Sequence, residues 1–151
     1  MSDTHDDWER ACKEIRAENA GLMKQFSAWL ESKGLTPKTV DRHVANADFF
    51  VNEYLLYDDA VRPAEGWHRI DSFLGYWFIR KAMWANPASI RSNATSLKKF
   101  YAFLQEMRIV DMVALEAVRE SVKEGLAEWI ATVKRYDDPS ITDMDEVWGY
   151  P

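Results

Sequence analysis

Gly34-Leu35-Thr36-Pro37-Lys38-Thr39-Val40 is the stretch of this chain whose reading decides its fold class. Glycine tolerates the left-handed backbone that ends a helix, Thr36 offers a side-chain oxygen to the free N–H groups that begin the next one, and proline costs no hydrogen bond at the first helical position. A helix stop followed at once by a helix start predicts two helices joined by a short turn. Upstream, Ile15, Leu22, Phe26, Trp29 and Leu30 recur at helical spacing, which predicts a first helix from about Trp8 to Ser32 with a break near Gly21. Downstream, Val40, Val44, Ala47, Val51 and Tyr54 or Leu55 mark one buried stripe on a second helix.

The same grammar continues. Residues 58–67 combine charge, Pro63 and Gly66 and read as a connecting loop. Asp71 is placed to cap a short third helix carrying Phe73, Leu74, Trp77 and Phe78, and Asn86-Pro87 repeats the cap-then-proline signal for a fourth that buries Ile90, Ala94, Leu97, Tyr101 and Leu104. From Val113 to Tyr136 an acidic helix follows, with Val118, Val122, Trp129, Ile130 and Val133 on one face and Glu116, Glu120, Glu124 and Glu128 on others. Asp137-Asp138-Pro139 ends it. The acidic tail beyond, anchored by Val147, Trp148 and Tyr150, is expected to be disordered or docked. β-branched residues are scattered singly and no hairpin turn signal appears, so the chain reads as all-α: a small bundle of four core helices over residues 22–110, an acidic helical extension over 1–21, the acidic helix over 111–136 and a tail over 137–151.

Composition narrows the function classes. Cys12 is the sole cysteine, which excludes an internal disulfide. The N-terminus has neither a basic start nor an apolar run, and about 18 consecutive apolar residues occur nowhere, so a cytoplasmic protein without a membrane partner is expected. The formal charge of -6 is uneven: residues 1–21 carry -3, residues 22–110 carry +3 and residues 111–151 carry -6. A mildly basic middle lies between acidic flanks, which predicts that removing residues 112–151 would strengthen attraction to phosphate. The seven tryptophans, six tyrosines and seven phenylalanines are read as core side chains before ligand platforms.

No catalytic constellation is visible. His5, His43 and His68 are far apart, so no two imidazoles share the four-residue spacing that suits a metal, and no metal or cofactor is expected. No glycine-rich phosphate loop and no nucleophile elbow is present, and the carboxylates read as solvated helix faces. His43, one position before Val44, reads either as a half-covered boundary side chain or as a contact residue. Arg80-Lys81 and Lys98-Lys99 are short basic pairs of the kind that solvated helices carry.

The order of the signals adds a resemblance. Phe26-Ser27-Ala28-Trp29-Leu30, then Gly34 to Val40, then Ser89-Ile90 and Leu97-Lys98-Lys99-Phe100-Tyr101-Ala102-Phe103-Leu104 resemble the N-terminal core-binding domain of tyrosine recombinases and phage integrases, over about residues 22–110. That domain is a SAM-like helical bundle that grips DNA, while a separate C-terminal domain cleaves it. Nothing after Arg108 resembles the catalytic domain, which leaves Tyr136 and Tyr150 as packing or tail residues, since a tyrosine without arginines around the phosphate would achieve little.

The resemblance implies double-stranded DNA as partner, held from the second and fourth helices. It maps DNA contact onto Lys38, Thr39, Arg42 and His43, and onto Ser89, Arg91, Ser92, Thr95, Lys98 and Lys99. Lys38 and Arg42 are one turn apart, as are Arg91 and Thr95, so each set predicts one exposed ridge. Asp41 and Asp48 interrupt the first ridge. Two functions follow: a non-catalytic DNA-binding domain, as a truncated recombinase or an accessory factor, or a protein-interaction module on the same scaffold that engages a partner or a second copy through residues 111–151. Fold alone does not choose between them.

Overall fold

The computed structural model describes residues 2–149, with side chains from Thr4 onward, and these residues are all-helical. Helix α1 spans Ser2–Ser32 and α2 spans Pro37–Asp48, the latter running on through a π-helical turn at Phe49–Tyr54. Two 3₁₀ turns, Pro63–Glu65 and Trp67–Arg69, occupy the expected loop. A short composite helix follows, made of α3 (Ile70–Ser72), a π-helical turn (Phe73–Trp77) and α4 (Phe78–Lys81). Helices α5 (Pro87–Glu106), α6 (Met112–Asp137) and α7 (Met144–Trp148) complete the chain.

The deciding turn behaves as its residues dictate. Gly34 takes φ 83°, which a side chain would strain, and Thr36 Oγ1 accepts a hydrogen bond from the Thr39 amide at 3.3 Å with Pro37 at the helix start. Thr36→Ala is expected to cost about 1 kcal/mol in urea unfolding. An unchanged midpoint would remove the cap from the account. Asn86 and Ser89 form a reciprocal capping box at the start of α5: the Ser89 amide donates to Asn86 Oδ1 at 2.7 Å and the Asn86 amide donates to Ser89 Oγ at 2.9 Å.

One apolar cluster runs from Met23 on α1 to Val133 on α6. Phe26 meets Phe100 edge-on with ring centroids 5.2 Å apart, and Phe50 meets Phe73 at 5.0 Å, so aromatic contacts join α1 to α5 and the two π-helical turns to each other. Tyr101 is fully buried and its hydroxyl donates to the Pro63 carbonyl at 2.7 Å. That bond ties the 3₁₀ loop to α5.

Several expectations are corrected. Helix α1 does not break at Gly21: a Cβ there would meet nothing, so the residue carries only its propensity cost of about 1 kcal/mol, and packing on both sides outweighs that. On its N-terminal half Cys12 and Ile15 bury against Leu56, and Asn19 donates to Asn52 Oδ1 at 2.9 Å, so the helical extension is continuous with the first core helix and packed along it. Asp71 caps nothing; its Oδ1 accepts from Trp129 Nε1 at 2.7 Å. Trp29, Val44 and Trp77 are half-buried against the core, His43 and Phe50 take inward places that the stripe did not give them, and of the alternatives Tyr54 and Leu55 it is Leu55 that is fully buried.

The acidic helix is part of the core. Ala114, Leu115, Val118, Val122, Trp129, Ile130 and Val133 bury in the same cluster as Leu97 and Leu104 of α5. Removing residues 112–151 therefore uncovers α5 and is expected to cost stability as well as to remove negative charge. The tail is docked through Gly149: Val147 is buried, its carbonyl accepts from Arg135 Nε at 2.9 Å, and the Trp148 ring lies 4.7 Å from that of Tyr76. Tyr150, the last anchor expected from the sequence, lies outside the described residues.

Candidate nucleic-acid interface

Helices α2 and α5 pack antiparallel, and the seam between them is polar where an apolar stripe was expected. His43 Nδ1 and Ser96 Oγ are hydrogen-bonded at 2.7 Å, and Asn46 Nδ2 donates to Ser96 Oγ at 2.9 Å and to Ser92 Oγ at 3.1 Å. Ser96 thus joins both helices through its hydroxyl, accepting from Asn46 and sharing a hydrogen bond with His43 Nδ1. Burial first, then the charges of Arg42 and Lys99, hold the His43 pKa below its ordinary value, so the ring stays neutral near neutral pH. His43 is 2% exposed. The expectation that it lies off the buried stripe is corrected: it forms the floor between the two helices.

Above that floor lies a shallow groove of about 290 Å³ lined by Arg42, His43, Arg91, Ser92 and Thr95. Thr95 also borders an adjoining depression of about 350 Å³ with Trp29, Lys98, Lys99, Ala102 and Arg119. Lys38 is exposed one turn before Arg42. Among the described residues none of Lys38, Arg42, Arg91, Lys98 or Lys99 forms an ion pair, whereas Arg119 is paired with Glu116 at 2.7 Å and Arg62 with Glu18 at 2.9 Å. Like charges gathered without counter-charges raise the local positive potential and leave these side chains free to meet an anion.

Two carboxylates border the second depression, Glu116 through its ion pair with Arg119 and Glu106 through its hydrogen bond to Trp29, whereas the first groove has no carboxylate in its lining. Residues 72–105 contain no Asp or Glu. Asp48 accepts from Asn52 at 2.7 Å, and Asn52 in turn accepts from Asn19, which places Asp48 on the flank of α2 that meets α1. Asp41 stands two turns earlier on the same flank. Glu106, at the far end of α5, accepts from Trp29 Nε1 at 2.9 Å and lies 3.8 Å from Lys33. The two acidic interruptions of the second helix thus fall beside the basic ridge and not within it.

The ten residues implied by the resemblance divide into three groups. Lys38, Arg42, Arg91, Thr95, Lys98 and Lys99 are exposed or half-exposed on the one face. Thr39 Oγ1 is hydrogen-bonded to Thr36 Oγ1 at 3.0 Å and Ser92 Oγ accepts from Asn46, so both are partly engaged. Ser89 is fully committed, with its hydroxyl in the capping box and also 3.1 Å from the Trp84 carbonyl, and His43 is buried. Asn46 and Ser96 were missed. Their signal was present as polar residues three and four positions from His43 and Ser92 on the inward sides of both helices, a pattern that an apolar stripe does not produce.

No family model matches the chain, and neither a curated protein nor a solved structure matches it.

Proposed function

We propose that this chain is a non-catalytic domain that binds double-stranded DNA through the face shared by α2 and α5. The observation that carries the reading is that Arg42 and Arg91 line one groove and Lys98 and Lys99 the depression adjoining it, with Lys38 exposed one turn before Arg42, none of them with an ion-pair partner among the described residues, in a chain whose net charge is negative. Five cations of this kind hold phosphates, and the Ser92 hydroxyl, which accepts from Asn46 and keeps its own proton, adds a hydrogen bond that positions the backbone. Arg42 and Arg91 supply forked donors suited to phosphate oxygens, and the lysines supply point charge. The same two helices are those implied by the resemblance to recombinase core-binding domains. No residue on this face is assigned a covalent role.

Five phosphate contacts predict a salt slope of about -4.5, so affinity for a duplex falls about 500-fold between about 50 mM and about 200 mM salt, from a nonspecific dissociation constant on the order of 10⁻⁵ M or tighter. Fluorescence anisotropy with a labelled duplex of about 20 base pairs measures this. Absence of binding at the lower salt, or binding that ignores salt, would overturn the proposal.

A second reading has one observation behind it. Met107, Ile109, Met112 and Val113 are all exposed at the turn between α5 and α6, with Val113 at 69%, and an apolar patch of this kind suits a protein partner or a second copy of the chain. Trp148 is withdrawn from that role by its docking against Tyr76 and Tyr136. Salt-insensitive self-association without duplex binding favours this reading over the first.

A further inference from the structure

The turn between α4 and α5 carries the most exposed large apolar side chain among the described residues. Met83 is 99% exposed and Trp84 beside it is 55% exposed. A single exposed methionine means little, because much of any protein surface is apolar. This one stands on a braced tip. The Ala85 amide donates to the Ala82 carbonyl at 3.1 Å, Ser89 Oγ donates to the Trp84 carbonyl at 3.1 Å, and the Trp84 ring packs edge-on against Phe49 with centroids 5.2 Å apart.

Phe49 fixes where the tip points relative to the basic face. On the outer side of α2, Lys38, Arg42, Ala45 and Phe49 follow one another at intervals of four, three and four residues, so they form one row. Trp84 therefore sits at the end of the row that Lys38 and Arg42 begin. Because α2 and α5 are antiparallel, the first turns of α5 and Arg91 lie at this same end. Arg80 and Lys81 precede the tip in the chain, and among the described residues each is hydrogen-bonded to a tyrosine hydroxyl and to no carboxylate, Tyr76 at 2.7 Å and Tyr57 at 3.0 Å. The tip is thus an apolar point set inside the stretch that contains no acidic residue.

We propose that Met83, supported by Trp84, is an apolar wedge that enters an unstacked base step of DNA while the α2–α5 face holds the backbone. The inference rests on the DNA-binding reading and extends it from phosphate to base. Unbranched, polarisable methionine fits the irregular gap between partly unstacked bases, and the cations before and after the wedge in the chain neutralise the phosphates that a kink draws together. Charge complementarity selects nucleic acid as the occupant. A membrane surface is the competing one.

The test uses the full chain and a duplex of about 20 base pairs containing 2-aminopurine, whose fluorescence rises when its base unstacks. Met83→Ser keeps the melting temperature unchanged, because the side chain touches nothing, and is expected to weaken duplex binding about tenfold, to suppress the fluorescence rise and to leave the salt slope unaltered. Unchanged affinity and fluorescence in Met83→Ser, with binding still lost on Arg42→Glu, would overturn the wedge and leave the DNA-binding reading standing. Failure of the unaltered chain to bind the duplex would overturn both. Co-sedimentation with phosphatidylserine vesicles that Met83→Ser abolishes, with duplex affinity unchanged, would overturn the wedge in favour of a membrane contact.

Discussion

Trp129→Ala is expected to lower the unfolding free energy by about 3–5 kcal/mol, the range for deleting a buried large aromatic side chain. Trp129 is 2% exposed, and its indole donates to Asp71 at 2.7 Å, so one side chain both fills the space between α6 and the α3 segment and latches them together. The ring folds back over the preceding turn of its own helix, as long side chains on helices do, and lies on Gly125. A Cβ at Gly125 falls inside van der Waals contact of the ring, and one at Gly75 lies 2.8 Å from the ring's Cδ1.

These distances give the prediction a second and sharper form. Gly→Ala inside a helix ordinarily stabilises by about 1 kcal/mol, but Gly125→Ala is expected to destabilise, because overpacking costs about 1–3 kcal/mol and the indole is held from both sides. In the Trp129→Ala background the clash is gone and the same substitution is expected to stabilise. A double-mutant cycle by urea unfolding measures the change of sign. Gly125→Ala stabilising in both backgrounds would show that Trp129 is not seated against it.

What the sequence made legible and what it hid differ for physical reasons. Thr36, Pro37, Asn86 and Pro87 announced their helix starts because capping is local chemistry, settled within four residues. The stripes of α5 and α6 were legible because Ile90, Leu97, Leu104, Val118 and Val133 repeat at helical period. The inner face of α2 was not. His43 occupies a place that periodicity gave to Val44, and it is satisfied there only by Ser96, which is distant in sequence and reached through tertiary packing. Asp71 was read as a cap because the residue type fits one, whereas its partner Trp129 lies on another helix. Gly21 was read as a break because propensity weighs a residue alone, while α1 is held by core on both sides of it. Of the site, the charged ridges were legible, since Lys and Arg off an apolar stripe are exposed wherever the helix packs. The buried floor beneath them and the tip at Met83 were not, because both exist only once α2 and α5 are side by side.

Reversing single charges on the α2–α5 face is expected to separate a built interface from diffuse attraction. Arg42→Glu, Arg91→Glu and Lys98→Glu each remove one charge-assisted contact, which is worth about 1.5–3 kcal/mol, so each is expected to weaken duplex binding by about tenfold or more. Lys24→Glu makes the same change of charge on α1, where Lys24 is exposed and lines neither groove, and is expected to weaken binding no more than about threefold through long-range repulsion alone. The folded state tolerates all four substitutions, since none of these side chains is buried or ion-paired among the described residues. Salt dependence supplies the decisive comparison. Each reversal on the face also lowers the slope of affinity against salt by about one, because one phosphate contact fewer releases one counterion fewer, while Lys24→Glu leaves the slope where it was. Anisotropy titrations at several salt concentrations measure both quantities. Equal losses and equal slopes at all four positions would show that the chain's cations attract DNA only as a cloud of charge, and the groove between α2 and α5 would lose its claim to be the interface.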